Sequence, residues 1–99
     1  MFQQVTRFSA AHGWDVGEKV YHEKGKPMWS SQPGFISMSM FNIAEGEHKD
    51  QRMVVVRFDS QASLDAARTA VAEQREEGMK ELNAAGIKAE EGIRLEQIE

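Results

Sequence analysis

Apolar and polar residues alternate along four segments of the chain, the pattern of strands that bury one or both faces in a sheet. The clearest of them carries three consecutive valines, and β-branched side chains suit a pleated surface. A last segment contains Gly92, which predicts a weak or bulged strand there. The pattern therefore predicts strands over residues 2–8, 35–43, 52–58 and 87–98.

Two regions between these strands have helical character. The longer one, residues 61–84, repeats apolar side chains at helical spacing and follows Asp59 and Ser60, either of which can cap a helix. The shorter one covers residues 18–24 and is followed by Pro27, which is disfavoured inside a helix. We expect either a second turn or a kink at that proline.

The predicted elements follow the order β-α-β-β-α-β, which is that of a ferredoxin-like α+β protomer with an antiparallel sheet. We expect residues 1–99 to form a single domain of this class. Two helices can cover only one face of such a sheet, yet apolar side chains occupy both faces of its strands. A sheet-to-sheet homodimer is therefore predicted. The alternative is that some of these side chains are simply exposed, as single apolar residues often are.

Composition narrows the choice of partners and location. The net charge is −4, so the chain lacks the basic footprint of a nucleic-acid-binding protein and is not suited to an anionic membrane surface. It has no cysteine, which excludes disulfides, thiolate nucleophiles and cysteine-based metal sites. No apolar run approaches the roughly 20 residues that span a bilayer. We expect a cytoplasmic protein that binds neither nucleic acid nor membrane.

Two short motifs suggest a family. Pro33, Gly34 and Phe35 form a turn before the second predicted strand, and residues 54–63 end the third strand in Phe-Asp-Ser before the long helix. At this spacing they resemble the antibiotic biosynthesis monooxygenase-like family. The resemblance implies a ferredoxin-like protomer and a homodimer whose sheets face each other in a dimeric α+β barrel. It also implies an oxygenase that needs no metal or flavin and oxidises a small phenol- or quinol-type aromatic substrate.

The family also contains a haem-degrading branch, which typically uses an Asn on the first strand together with a Trp and a His in the second half of the chain. Here the first strand has no Asn, Phe58 stands where that Trp is expected, and the second helix has no His. The sequence also lacks a glycine-rich phosphate loop. We therefore expect no haem, flavin or metal cofactor.

Three residues are candidates for catalysis. His22 is the candidate base, because histidine exchanges protons near neutral pH and the neighbouring helix could aim it at a cleft. Asn42 and Arg57 lie on adjacent predicted strands and could stabilise an anion if both point into a cavity. Each also has an ordinary alternative: a histidine in a surface loop, or an arginine paired with a carboxylate. His48 lies among acidic residues, but their spacing matches no metal motif.

Trp29, Tyr21 and Met38 are candidates for a substrate-binding wall, since aromatic and methionine side chains suit a flat ligand. They could equally belong to the core or the dimer interface. Three functions stay open: an oxygenase, a non-catalytic module that binds a small ligand, and a structural dimer. An enzyme requires an enclosed pocket lined by at least two of four candidate residues. These are His22, Trp29, Asn42 and Arg57. A binding module requires only the pocket.

Overall fold

The computed structural model describes all 99 residues. Four strands form one antiparallel sheet in the order β2-β3-β1-β4. Their bounds are β1 Phe2–Ala10, β2 Phe35–Asn42, β3 Arg52–Phe58 and β4 Ile87–Glu96. The four predicted strands and the α+β ferredoxin-like class are confirmed, with strand ends within about two residues of the prediction. None of the helices is both long and apolar enough to cross a membrane.

The first helical region is longer than the sequence predicted. It comprises α1 Asp15–Val20, a π-helical turn Tyr21–Gly25 and α2 Lys26–Ser30, joined without a break. Pro27 lies in the first turn of α2, where its missing N–H is tolerated. The wider π-helical turn just before it absorbs the change in backbone geometry that was expected as a kink.

The second helical region bends at Val71, where the sequence predicted one continuous helix. It consists of α3 Gln61–Ala70 and α4 Ala72–Ala84. Val71 has φ −102° and ψ 6°, yet its N–H still donates to the carbonyl of Ala67. The side chain of Val71 is buried, so the bend lets both halves of the region pack against the sheet. At the start of α3, Ser60 caps the helix by accepting from the N–H of Ser63 at 3.1 Å, as predicted.

All the helices pack on one face of the sheet, which we call the covered face. The core lies there and centres on Phe58, whose ring meets those of Trp29 and Phe35 edge to face. Regular alternation along residues 35–43 predicts Phe35 on the other face with Ser37. The pairing of β2 with β3 shifts between Phe35 and Ser37, and this bulge turns Phe35 towards the core while leaving Ile36 half exposed.

The other face, which we call the open face, has no helix on it. Cross-strand pairing places one side chain from each strand in rows across it. Its central row contains Val55, which is buried, and Ile93, which is 41% exposed. Around them the face combines apolar with polar side chains. The apolar ones form the open-face cluster: Val5, Phe41, Met53, Val55, Ile93 and Leu95.

The two motifs behind the family resemblance meet in space. Gly34 has φ +84°, and its carbonyl accepts from the N–H of Asp59 at 2.9 Å. A Cβ on Gly34 would lie 2.6 Å from the Ser63 hydroxyl, so only glycine fits this contact. Hydrogen bonds from Ser63, and with smaller effect from Ser60, hold the pKa of Asp59 below its usual value. The motif therefore joins the turn before β2 to the start of α3.

Candidate functional site

A cavity of about 140 Å³ lies between the covered face of the sheet and the helices. Its floor is formed by all four strands, and its roof by α1, the π-helical turn, α2 and α4. Most of its lining is hydrophobic. An apolar cavity of about 150 Å³ can hold one benzene molecule, and because this one is partly open to solvent, a larger aromatic molecule can extend beyond it. The aromatic and methionine side chains on it are Phe8, Trp14, Tyr21, Met28, Trp29, Met38, Met40 and Met79.

Glycines in the roof help to keep the cavity open. Gly17, Gly25 and Gly78 all line it, one on each of three helical turns. A Cβ on Gly25 would lie 3.3 Å from the methyl carbon of Met38, and one on Gly17 would lie 3.0 Å from Ile87. A larger side chain at either position would therefore press on the lining. The helices can approach the sheet here and still leave space between side chains.

Two buried side-chain atoms of residues on the floor of the cavity have no hydrogen-bond partner. Gln4 is 8% exposed, and its side-chain oxygen Oε1 is unpaired. Arg52 donates from one terminal nitrogen to Glu18 at 2.8 Å, and its guanidinium lies 5.0 Å from the ring centre of Trp14. Its Nε is nevertheless buried and unpaired. Buried polar atoms are normally satisfied, so these two are candidates for ligand contacts.

The charges on the cavity are all positive. Besides Arg52, they belong to Lys24, which donates to Glu81 at 2.5 Å, and to the half-buried Arg75. Burial lowers the pKa of Arg75, and the charge of Arg68 lowers it further. Arginine still keeps its proton at neutral pH. Arg75 makes no side-chain hydrogen bond or salt bridge, and no carboxylate or imidazole lines the cavity. The cavity thus favours an anion.

The three predicted substrate-binding residues all line this cavity: Trp29, Tyr21 and Met38. Trp29 and Tyr21 are both buried. Burial raises the pKa of Tyr21, so its hydroxyl stays protonated at neutral pH and can donate a hydrogen bond. Their role in binding stays a prediction, but the structure does bring the three side chains to one space.

The three predicted catalytic residues do not meet. His22 is exposed and faces a shallow depression beside Pro27, outside the cavity. Asn42 is the exposed last residue of β2 and does not line the cavity. Arg57 lies on the open face, where its Nε donates to Gln3 at 3.0 Å. This corrects the expectation that Asn42 and Arg57 point into a common cavity. Neighbours along a strand face opposite ways, and Arg57 stands next to the buried Phe58.

An enzyme was expected to bring at least two of His22, Trp29, Asn42 and Arg57 to one pocket, but only Trp29 lines the cavity, so these four residues do not meet that criterion. Sequence reasoning missed three polar residues that do line it: Gln4, Arg52 and Arg75. Gln4 lies on the covered face of β1 together with Phe2. The alternation of side chains along β1 could therefore have predicted that Gln4 is buried. The structure contains no group of three or more His, Cys, Asp or Glu side chains placed to hold a metal ion.

No protein-family model matches the chain, and its sequence matches no curated protein. Its structure is similar to several solved ones. SnoaB, a cofactor-independent oxygenase from Streptomyces nogalater, has a TM-score of 0.75 at 15% identity, over 99% of this chain and 93% of that chain. A dimeric ferredoxin-like protein from an uncultured marine organism has a TM-score of 0.71 at 16% identity, over 99% and 95% of the two chains.

A proposed antibiotic biosynthesis monooxygenase from Bordetella bronchiseptica has a TM-score of 0.68 at 10% identity, over 98% of this chain and 96% of that chain. Similarity at such low identity concerns the fold. The resemblance first suggested by the two short motifs is confirmed at that level: the chain has the ferredoxin-like fold that it shares with structures described as an antibiotic biosynthesis monooxygenase and a cofactor-independent oxygenase.

Proposed function

We propose that this protein is a cofactor-independent oxygenase that binds a small phenol- or quinol-type molecule, as its anion, in the cavity on the covered face. One observation carries the proposal. The cavity combines an aromatic and methionine lining with Arg75, a cation that has no carboxylate partner, and with Lys24 and Arg52, whose partners Glu81 and Glu18 do not line the cavity. An aromatic wall suits a flat ligand, and cations near a phenol favour its ionised form.

The chemistry needs no base on the wall of the cavity. Phenol-type anions react with oxygen faster than neutral phenols do, so a site that lowers the pKa of the bound phenol lets water take the proton. The anion gives one electron to oxygen, and the two radicals combine into a peroxide at the activated carbon. Loss of water from that peroxide leaves a carbonyl. For a substrate CH₂ group, one oxygen atom ends in the product and the other in water, with all four electrons supplied by the substrate.

We also propose that two copies of the chain associate through their open faces. The motivation is the open-face cluster, in which Phe41, Ile93 and Leu95 are 48%, 41% and 44% exposed. Exposed apolar groups this close together commonly mark an interface. The solved neighbour described as a dimeric ferredoxin-like protein supports association of two copies. In this dimer the cavity of each protomer lies on the far side of its own sheet, so the interface and the ligand use different surfaces.

Oxygen uptake with anthrone or 1,4-dihydroxynaphthalene tests the enzyme proposal. We expect protein-dependent uptake with anthrone and one labelled atom per product molecule from isotope-labelled oxygen. Arg75→Met should lower kcat/KM by about 10²-fold, the effect of losing one charge-stabilising donor. Arg68→Met is the matched control, because Arg68 lies outside the cavity, and it should change the rate little.

A second function, a non-catalytic module for small aromatic ligands, has its own supporting observation. His22, the predicted base, lies outside the cavity, and no other histidine or acid replaces it there. Tight binding of 1,4-dihydroxynaphthalene with no protein-dependent oxygen uptake would favour this module. Neither binding nor uptake would refute both functions.

A further inference from the structure

We infer that Gln4 and Arg52 bind opposite ends of the ligand. The ligand must donate a hydrogen bond to Gln4 at one end and accept one from Arg52 at the other. The inference rests on the proposed ligand cavity and names the class of ligand: an elongated aromatic molecule with a hydroxyl at one end and an oxygen acceptor, such as a phenolate, at the other.

Gln4 supplies the acceptor. It lies on the covered face of β1, and its cross-strand neighbours are Val56 and Arg94. Val56 is apolar, and Arg94 is already paired with Asp65 and stacked over Phe2. Neither satisfies Oε1 of Gln4, which stays unpaired in a side chain that is 8% exposed. A buried acceptor without a partner is destabilising, and a ligand hydroxyl would relieve it.

Arg52 supplies the donor. One of its terminal nitrogens is held by Glu18 at 2.8 Å and contacts the sulfur of Met40 at 3.4 Å, while the guanidinium lies over Trp14. These contacts fix the plane of the group and leave Nε buried with no acceptor. A fixed donor of this kind distinguishes a ligand with an acceptor from one without.

The backbone positions that carry the two groups are well separated along the sheet. Arg52 is the cross-strand partner of Phe8, four residues beyond Gln4 on the same strand. At about 3.3 Å per residue this places the two Cα levels roughly 13 Å apart along the sheet. Thr6 and Val54 pair between them and also line the cavity. A ligand that contacts both ends therefore has an apolar body between two polar groups.

Three naphthalenes test the Gln4 end. For the wild type, 2,6-dihydroxynaphthalene, which can place a phenolate at Arg52, should bind at least as tightly as 6-methoxy-2-naphthol, and both have a hydroxyl for Gln4 and an oxygen for Arg52. By contrast, 2,6-dimethoxynaphthalene has no donor and should bind about tenfold or more weakly. In Gln4→Leu this difference should fall below about threefold, whereas Gln61→Leu, on an exposed helix position, should keep it.

The Arg52 end is tested with two ligands of matched size. Wild-type protein should bind 6-methoxy-2-naphthol more tightly than 6-ethyl-2-naphthol, which has no acceptor at that position. Arg52→Met removes every donor of the side chain at similar length, so the preference should disappear. If Gln4→Leu does not fold, Gln4→Met and the wild-type ligand series measure the same discrimination.

Three outcomes are distinct. Discrimination in the wild type that the variants remove supports the inference. Equal affinity for 6-methoxy-2-naphthol and 2,6-dimethoxynaphthalene in the wild type, or an unchanged ratio in Gln4→Leu, would overturn it and leave the aromatic cavity standing. Failure of every naphthalene to bind would instead refute the proposed function, and this inference with it.

Discussion

The two faces of the sheet differ in whether their polar side chains have hydrogen-bond partners. On the open face, Arg57 donates to Gln3 and to Ser37, and Arg7 pairs with Glu91. On the covered face, Oε1 of Gln4 and Nε of Arg52 are buried without partners, and Arg75 makes no ion pair. The open face pairs these polar side chains with one another, whereas the covered face and the helix α4 above it leave donors and an acceptor free around a cavity.

Gln3 and Gln4 show the contrast most closely, because they are the same residue type at adjacent positions of one strand. Gln3 accepts from Arg57 on the open face, while Gln4 lies unpaired in the cavity. A side chain that is already bonded serves structure, and a buried one that lacks a bond is available to a ligand. The comparison assigns association to the open face and ligand binding to the covered face.

The largest expected effect concerns the open face. Ile93→Asp introduces a charge into the proposed interface, and an isologous dimer contains it twice. We expect association to weaken by roughly 2–6 kcal/mol, because each unpaired polar group costs about 1–3 kcal/mol to bury. Sedimentation should show dimeric wild type and monomeric, folded Ile93→Asp. Ile98→Asp is the control, since Ile98 follows β4 and is 91% exposed. A wild type that is monomeric at all concentrations would contradict this role of the open face.

The next effect compares two phenylalanines. Phe58→Ala on the covered face should lower the free energy of unfolding by about 3–5 kcal/mol, because Phe58 is fully buried in the core. Phe41→Ala on the open face should cost less than about 1 kcal/mol within a protomer. Any further loss for Phe41→Ala should depend on protein concentration, as lost association does. Urea unfolding at two protein concentrations measures both. If Phe58→Ala and Phe41→Ala lower the free energy of unfolding equally, and neither loss depends on protein concentration, the two faces do not differ in the way described.

The smallest effect is a pH dependence from the cavity. Tyr21 is the only tyrosine, so tyrosinate absorbance reports this residue alone. Burial raises its pKa in the folded protein, so the folded state binds the phenolic proton more tightly than the unfolded state. This contribution to stability is complete below the ordinary pKa of about 10 and is lost as pH rises through the folded value. The titration midpoint should lie above that of denatured protein, and Tyr21→Phe should lose less stability at high pH. Coincident midpoints would mean that the phenol is solvated.

Much of the fold was predictable because its signals are local. Residues 52–58 were predicted and found as β3, since valines and alternation mark a strand on their own. The bend at Val71 was not predicted, because neither glycine nor proline stands there and the bend follows from packing against the sheet. The bulge at Ile36 was missed for a similar reason, and it reversed the face assigned to Phe35.

The candidate site was predictable only in its apolar part. Tyr21, Trp29 and Met38 were expected in a pocket because large flat or adaptable side chains gather there, and all three line the cavity. His22 and Arg57 were chosen for their chemistry, but helix orientation and strand alternation direct them elsewhere. Gln4 was overlooked because a neutral amide suggests no chemistry until its burial and missing partner are known.

The central claim, that the covered face binds an aromatic molecule as its anion, is tested most directly by the pKa of a bound phenol. Bound 2-naphthol can be titrated by absorbance, since its neutral and ionised forms have different spectra. The cations Lys24, Arg52 and Arg75 should lower its pKa by about one unit or more relative to free 2-naphthol, and Arg75→Met should return it towards the free value. A bound phenol whose pKa is unchanged or raised would contradict the claim, because the cavity would then favour the neutral form.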